Sequence, residues 1–245
     1  MKAQIVICKN HQEASLYAAK LAAAEFAQNP GLTATFAAGD TPFSCYHSLI
    51  QKQQNEGLQL NLAQYIGLDE WIGLGPNDEG SCLHYMNKGY YWPAGIPQQQ
   101  INAFDGRAKN IDAELIRMRE ILHENPLDLA ILGVGVNGHI GFNEPGIPTS
   151  GDFSLVALSE TTQTVGRKYF AGKHTPQQGA TITLQALKKA RRIIIIATGT
   201  SKKAAATSIL AGQHTLPVGA FAGHAGTCYV FDEQAVQGFE ADYTR

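Results

Sequence analysis

Four consecutive isoleucines, Ile193 to Ile196, sit inside the apolar run 192–197. Such a run has no polar face, so a strand made from it must be covered on both sides. Residues 127–132 form a second run of the same kind. Strands buried on both faces belong to parallel sheets with helices packed above and below. The rest of the chain supplies matching elements. Residues 4–8, 32–37, 64–68 and 227–231 read as further strands. Residues 13–27 are rich in Ala and Leu and read as a helix, stopped by Asn29-Pro30-Gly31. Helical patterns recur at 42–54, 81–91, 111–124 and 201–210. The alternation specifies an α/β fold, a doubly wound, mostly parallel, Rossmann-like sheet. The 245 residues fit a single domain, 1–245.

In open parallel sheets, ligands bind beyond the C-terminal ends of the strands. The segments after Ala37, Leu68, Leu132 and Ala197 are therefore where chemistry is expected. Composition narrows the ligand. The formal net charge is -2 and no Lys/Arg run stands out, which argues against nucleic acid as a partner. The longest apolar run is too short to span a bilayer, and no signal-peptide pattern opens the chain. Cys8, Cys45, Cys82 and Cys228 are far apart with no C-x-x-C pair. Free thiols in a reducing cytoplasm, and no zinc site, are the expectation.

Ala38-Gly39-Asp40-Thr41-Pro42 follows a strand and opens a helix. Free N–H groups and the helix dipole there favour a small anion such as phosphate. Thr41 suits a cap and Pro42 the first helical turn. The same segment also reads as an ordinary strand–turn–helix corner, and Asp40 repels a phosphate unless it points away. Leu68-Asp69-Glu70-Trp71 places two acids at a strand end. It reads either as a solvated turn or as a general base at a partly dry mouth.

Gly133-Val134-Gly135-Val136-Asn137-Gly138 matches the dinucleotide fingerprint G-x-G-x-x-G. That fingerprint requires a helix to begin within it. The continuation, His139-Ile140-Gly141-Phe142-Asn143-Glu144-Pro145-Gly146, carries two glycines and a proline and reads as a loop. His139 and Glu144 on one such loop suit acid–base work. Gly199-Thr200-Ser201-Lys202-Lys203 repeats the strand-to-helix turn with cations added, and a cation there opposes the helix dipole unless an anion binds. Arg167-Lys168 is a second cationic candidate.

Taken together, these segments resemble the glucosamine-6-phosphate deaminase (isomerase) family, in order along nearly the whole chain. The loop 138–146 is the most specific block, and residues 102–115 follow the family spacing. The resemblance implies that Asp69 moves a proton between C2 and C1 of the opened sugar. It implies that His139, with Glu144, assists ring opening. Gly39, Asp40, Thr41 and Lys202 would lie around the 6-phosphate, with Lys168 or Arg167 adding a cation. It implies no metal and no organic cofactor, an amino sugar phosphate as the small-molecule partner, and a cytoplasmic monomer or homo-oligomer with no membrane contact. The related 6-phosphogluconolactonases share the fold. They usually carry an Arg at the position of Trp71 and lack Phe-Asn-Glu-Pro. Sugar-sensing regulators of the same fold carry an N-terminal helix-turn-helix, for which a first strand at residue 4 leaves no room.

Three positions depart from the family pattern. Asp40 stands where a Gly is usual, and Lys168 where an Arg is usual. Lys holds phosphate as a point charge but not bidentately. Asn137 replaces an Asp that orients the His. Its oxygen is expected to accept the Nδ1–H of His139. An Asp at 137 is accordingly expected to hold the ring better and keep or raise activity.

Overall fold

The computed structural model describes residues 2–170 and 176–239. In chain order the first third holds β1 (Gln4–Cys8), α1 (His11–Gln28), β2 (Thr33–Phe36), α2 (Asp40–Glu56), β3 (Gln64–Ile66), β4 (Asp69–Trp71) and α3 (Cys82–Met86). Next come β5 (Ile101–Asn102), α4 (Ile111–Glu124), β6 (Leu129–Gly133), β7 (Phe153–Ala157) and α5 (Glu160–Gly166). The last part holds β8 (Gln178–Ile182), α6 (Leu184–Leu187), β9 (Arg192–Ala197), α7 (Lys203–Leu210) and β10 (Thr227–Asp232). Seven strands form one sheet in the order β1-β10-β9-β6-β2-β3-β5, and every neighbouring pair is parallel. This is the α/β architecture that the alternation predicts.

The isoleucine run shows why. Ile193 and Ile195 enter one core with Ala130, Leu132 and Phe231. Ile194 and Ile196 enter the other with Leu129, Ile131 and Val230. All four isoleucines are fully buried. At roughly 1.5–3 kcal/mol per buried aliphatic side chain, this strand alone strongly favours a two-sided sheet. On the second face α1 lays down Ala14, Ala18 and Ala22, spaced one turn apart, so the helix backbone approaches the strands closely.

The third strand departs from expectation. It ends at Ile66, not Leu68, and Asp69–Trp71 leaves the parallel sheet. These residues form β4 of a separate three-stranded antiparallel sheet, in the order β4-β8-β7. Two bonds mark the switch: Gly67 N donates to Asn102 O at 2.8 Å, and Ile182 N to Leu68 O at 2.8 Å. A side chain at Gly67 would press on the Ala103 backbone at 3.3 Å. The result is that Asp69 stands on a small sheet facing the ends of the large one. Among the described helices none is long and apolar enough to cross a membrane.

Candidate active site

A cleft of about 340 Å³ opens beyond the C-terminal ends of β2, β6 and β9. Its walls include Gly39, Asp40, Asp69, His139, Lys168 and Lys202. The residues named come from five separate sequence segments that converge on one space. Arg167 is exposed and does not line it; of the two adjacent cations, Lys168 does.

Asp69 begins β4. Burial raises its carboxyl to about 7, the neighbouring Glu70 charge adds to the rise, and a hydrogen bond with Cys82 opposes it. Glu70 faces the other way, as strand alternation requires, and is 1 % exposed. Its oxygens accept from Trp71 N (2.9 Å), Cys82 N (2.9 Å), Leu83 N (3.0 Å) and the Ser81 hydroxyl (2.8 Å). Ser81 caps α3, so Glu70 ties the base of that helix to the strand carrying Asp69. Burial pushes Glu70 up to about 7 against the pull of these four donors.

The loop after β6 contains no helix, which removes the dinucleotide reading of its glycines. Gly135 has a different task. A Cβ there would lie 2.4 Å from the His139 ring, so only glycine lets the imidazole pack back on the strand end. Asn143 fixes the far side: its amide donates to Ile140 O and Ile182 O at 2.9 Å each. Glu144 is 2 % exposed. Burial pushes its carboxyl up, but His139, Thr162 and Asn137 outweigh that and hold it at about 2. His139 Nδ1 lies 3.1 Å from the Thr162 hydroxyl and 3.7 Å from Glu144 Oε2. Among the described residues, Nε2 has no protein partner.

Asn137 does not meet the imidazole as expected. Its Oδ1 accepts from the His139 backbone N–H at 3.2 Å. Only an oxygen accepts there, which turns Nδ2 toward Glu144 Oε2 at 2.9 Å. The ring's hydroxyl partner is Thr162, on α5, and Ser159 Oγ donates to Glu144 Oε2 at 3.0 Å. Nothing in the local sequence of α5 announces either contact. Thr162 acts only because α5 packs over the loop.

At the other end of the cleft, Gly39 caps α2 with φ 135°, a conformation that favours glycine, and space for a side chain is open around it. The helix starts at Asp40, so Thr41 and Pro42 lie inside its first turn and Thr41 is not the cap. Gly199, φ 84°, makes the matching turn before Lys202. Burial and the nearby Lys168 charge both lower the proton affinity of Lys202, while Asp40 raises it. Two lysines facing one partly dry space provide strong attraction for an anion. Among the described residues no group of three His, Cys, Asp or Glu is placed to hold a metal ion.

The comparisons agree with this geometry. A family profile described as glucosamine-6-phosphate isomerases/6-phosphogluconolactonase matches residues 9–230. A glucosamine-6-phosphate deaminase from Bacillus velezensis is 33% identical over 96% of this chain and 99% of its own length. One from Shouchella clausii is 31% identical over 94% and 95%. Among solved structures, a monomeric glucosamine-6-phosphate deaminase superposes with a TM-score of 0.90 at 29% identity, covering 95% of this chain and 98% of that one. A 6-phosphogluconolactonase from Leishmania guyanensis, 19% identical with a TM-score of 0.80 over 98% of this chain and 100% of that one, shares the fold. With a profile spanning nearly the whole chain and relatives matched end to end, the chain belongs to the glucosamine-6-phosphate isomerase/6-phosphogluconolactonase family.

Proposed function

We propose that this chain is an enzyme that isomerises and hydrolytically deaminates a 2-amino-2-deoxy-hexose 6-phosphate, releasing a 2-ketose 6-phosphate and ammonia. The observation that carries the reading is Asp69. A carboxyl raised to about 7 shares one cleft with His139, which Glu144 backs at 3.7 Å, and with two lysines. A base with that proton affinity both takes and returns a proton near neutral pH.

The residues divide the work along the sugar. Lys202, Lys168 and the turn at Gly39–Thr41 hold the 6-phosphate and so place C1 and C2 at Asp69. His139, aligned by Thr162 and Glu144, carries the proton that ring opening moves to the ring oxygen. Asp69 then takes the C2 proton and delivers it to C1. The C2–N bond becomes a ketimine, water adds at C2, and ammonia leaves. Asp40 borders the phosphate end, Arg167 lies outside it, and Asn137 supports the loop. Phosphorylated sugars are held inside cells by their charge, so the cytoplasm is the working compartment, with the protein a monomer or homo-oligomer. Ammonia release from glucosamine, galactosamine and mannosamine 6-phosphates tests the proposal. Hydrolysis of 6-phosphogluconolactone with no ammonia from any amino sugar would assign the lactonase branch instead.

Two substitutions test the assignments at either end. Lys202→Ala is expected to weaken the 6-phosphate substrate by about 1.5–3 kcal/mol, the worth of a hydrogen bond to a charged group. The free amino sugar should bind both proteins equally poorly, and an unchanged KM for the 6-phosphate would move the anchor elsewhere. Asn137→Asp reverses the earlier expectation, because the new carboxylate would sit where Nδ2 now donates to Glu144 at 2.9 Å. Compared with the wild type at the same pH, activity should be about tenfold lower at pH 8, and the deficit should narrow toward pH 5, where the carboxylate pair takes up one proton. Full activity at pH 8 would show that the amide donor does not hold Glu144.

A further inference from the structure

The anion end of the cleft already holds a negative charge of its own. Asp40, the first residue of α2, reaches across to two other segments. Its Oδ2 accepts from Lys168 Nζ at 2.7 Å, in the short turn after α5, and its Oδ1 accepts from the Tyr85 hydroxyl at 2.7 Å, in α3. The aromatic wall behind these contacts is fixed independently of Asp40. Tyr85 packs edge-on against Phe43 at 4.8 Å and Tyr169 at 5.6 Å. Lys168 also lies over the Tyr169 ring, 4.7 Å from its centre.

We propose that Asp40 is a resident counter-ion of the sugar-phosphate site, which bridges Lys168 and Tyr85 when the site is empty and must be displaced from Lys168 by the incoming phosphate. The inference rests on the sugar-phosphate reading above and concerns how that site selects its anion. Two lysines converging in a partly dry cleft repel each other when nothing negative is bound. A carboxylate on the rim offsets that repulsion. It must also yield, and the geometry suits this: the Asp40 and Lys168 side chains are 64% and 52% exposed, so their ion pair is weak. A phosphate dianion displaces a single carboxylate charge readily, whereas a monoanion gains little from the exchange. Asp40 thereby lowers affinity for every anion, and most decisively for singly charged ones.

The test is calorimetric titration of inorganic phosphate into the wild type, Asp40→Asn and Asp40→Gly, with KM and kcat measured on the amino sugar 6-phosphate. Asp40→Asn removes the charge but keeps an acceptor for Tyr85, and circular dichroism checks folding. Both variants are expected to bind phosphate about tenfold more tightly, the effect of removing one like charge near the ligand. KM for the 6-phosphate should fall by a similar factor, with affinity for the unphosphorylated sugar unchanged. Phosphate binding that is equal or weaker in both folded variants overturns the counter-ion role while leaving the sugar-phosphate reading intact. Absence of phosphate binding in all three proteins overturns both.

Discussion

Asp69→Asn is expected to lower deamination by about 10²–10⁴-fold, the usual worth of a positioned base. The substitution keeps size and shape, so phosphate binding at the far end of the cleft should persist. Exchange of the C2 proton of substrate into D₂O should fall with turnover, because both need the same carboxylate. Exchange that continues unchanged in the variant would give the proton transfer to another residue. Stability supplies an independent reading. Burial raises the folded-state Asp69 to about 7, so the folded protein holds this proton more tightly than the unfolded chain. The stability cost of ionising it therefore grows as pH rises from the ordinary carboxyl range to about 7, and is complete above that. Asp69→Asn removes the cost. The variant should lose activity yet gain stability against the wild type at pH 8, and the gain should fade toward pH 4. A variant equally or less stable at pH 8 would contradict a raised Asp69.

The parts of the molecule that local pattern determines were legible in the sequence. The four isoleucines imply a two-sided sheet because no one-sided strand accepts them, and they divide between two cores. The loop 138–146 is readable because two glycines and a proline exclude the helix that a dinucleotide site needs. The antiparallel sheet was not legible. It joins Asp69 to Thr181 and Val156 to Gly179, pairings set by distant contacts between strands of three to five residues. Gly179 weakens any strand reading, yet a Cβ there would strike the Phe142 ring at 2.3 Å. Thr162 and Cys82 were missed for a similar reason. Neither belongs to a motif, and each reaches His139 or Asp69 only through the packing of α5 or α3. The contacts of Asn137 were misjudged because a sequence shows which groups are near in the chain, not which atoms a loop turns toward each other.

Glu70 is the residue whose importance the fold reveals most fully, and Glu70→Gln should show it in two separate measurements. The donors around this side chain are three backbone N–H groups and one hydroxyl, converging on both oxygens. The backbone donors cannot turn into acceptors, so they favour the carboxylate, against the burial that raises Glu70 to about 7. Glutamine presents an NH₂ where one oxygen now accepts, leaving buried N–H groups of Trp71, Cys82 or Leu83 without partners. Unfolding free energy should drop by about 2–4 kcal/mol, in the range for breaking buried hydrogen bonds to a charged group. The second measurement is the pH profile of kcat/KM. With the Glu70 charge gone, one of the two causes that raise Asp69 is lost, while its burial remains. The acid limb of the profile should therefore move to lower pH without reaching the ordinary carboxyl range. Ser81→Ala provides the contrast, since it removes one of the four donors and leaves the charge. It should destabilise the protein less and not carry the acid limb downward. An acid limb that stays in place in Glu70→Gln, in protein that remains folded, would show that Asp69 is tuned by burial alone and that Glu70 serves only to anchor α3 beneath it.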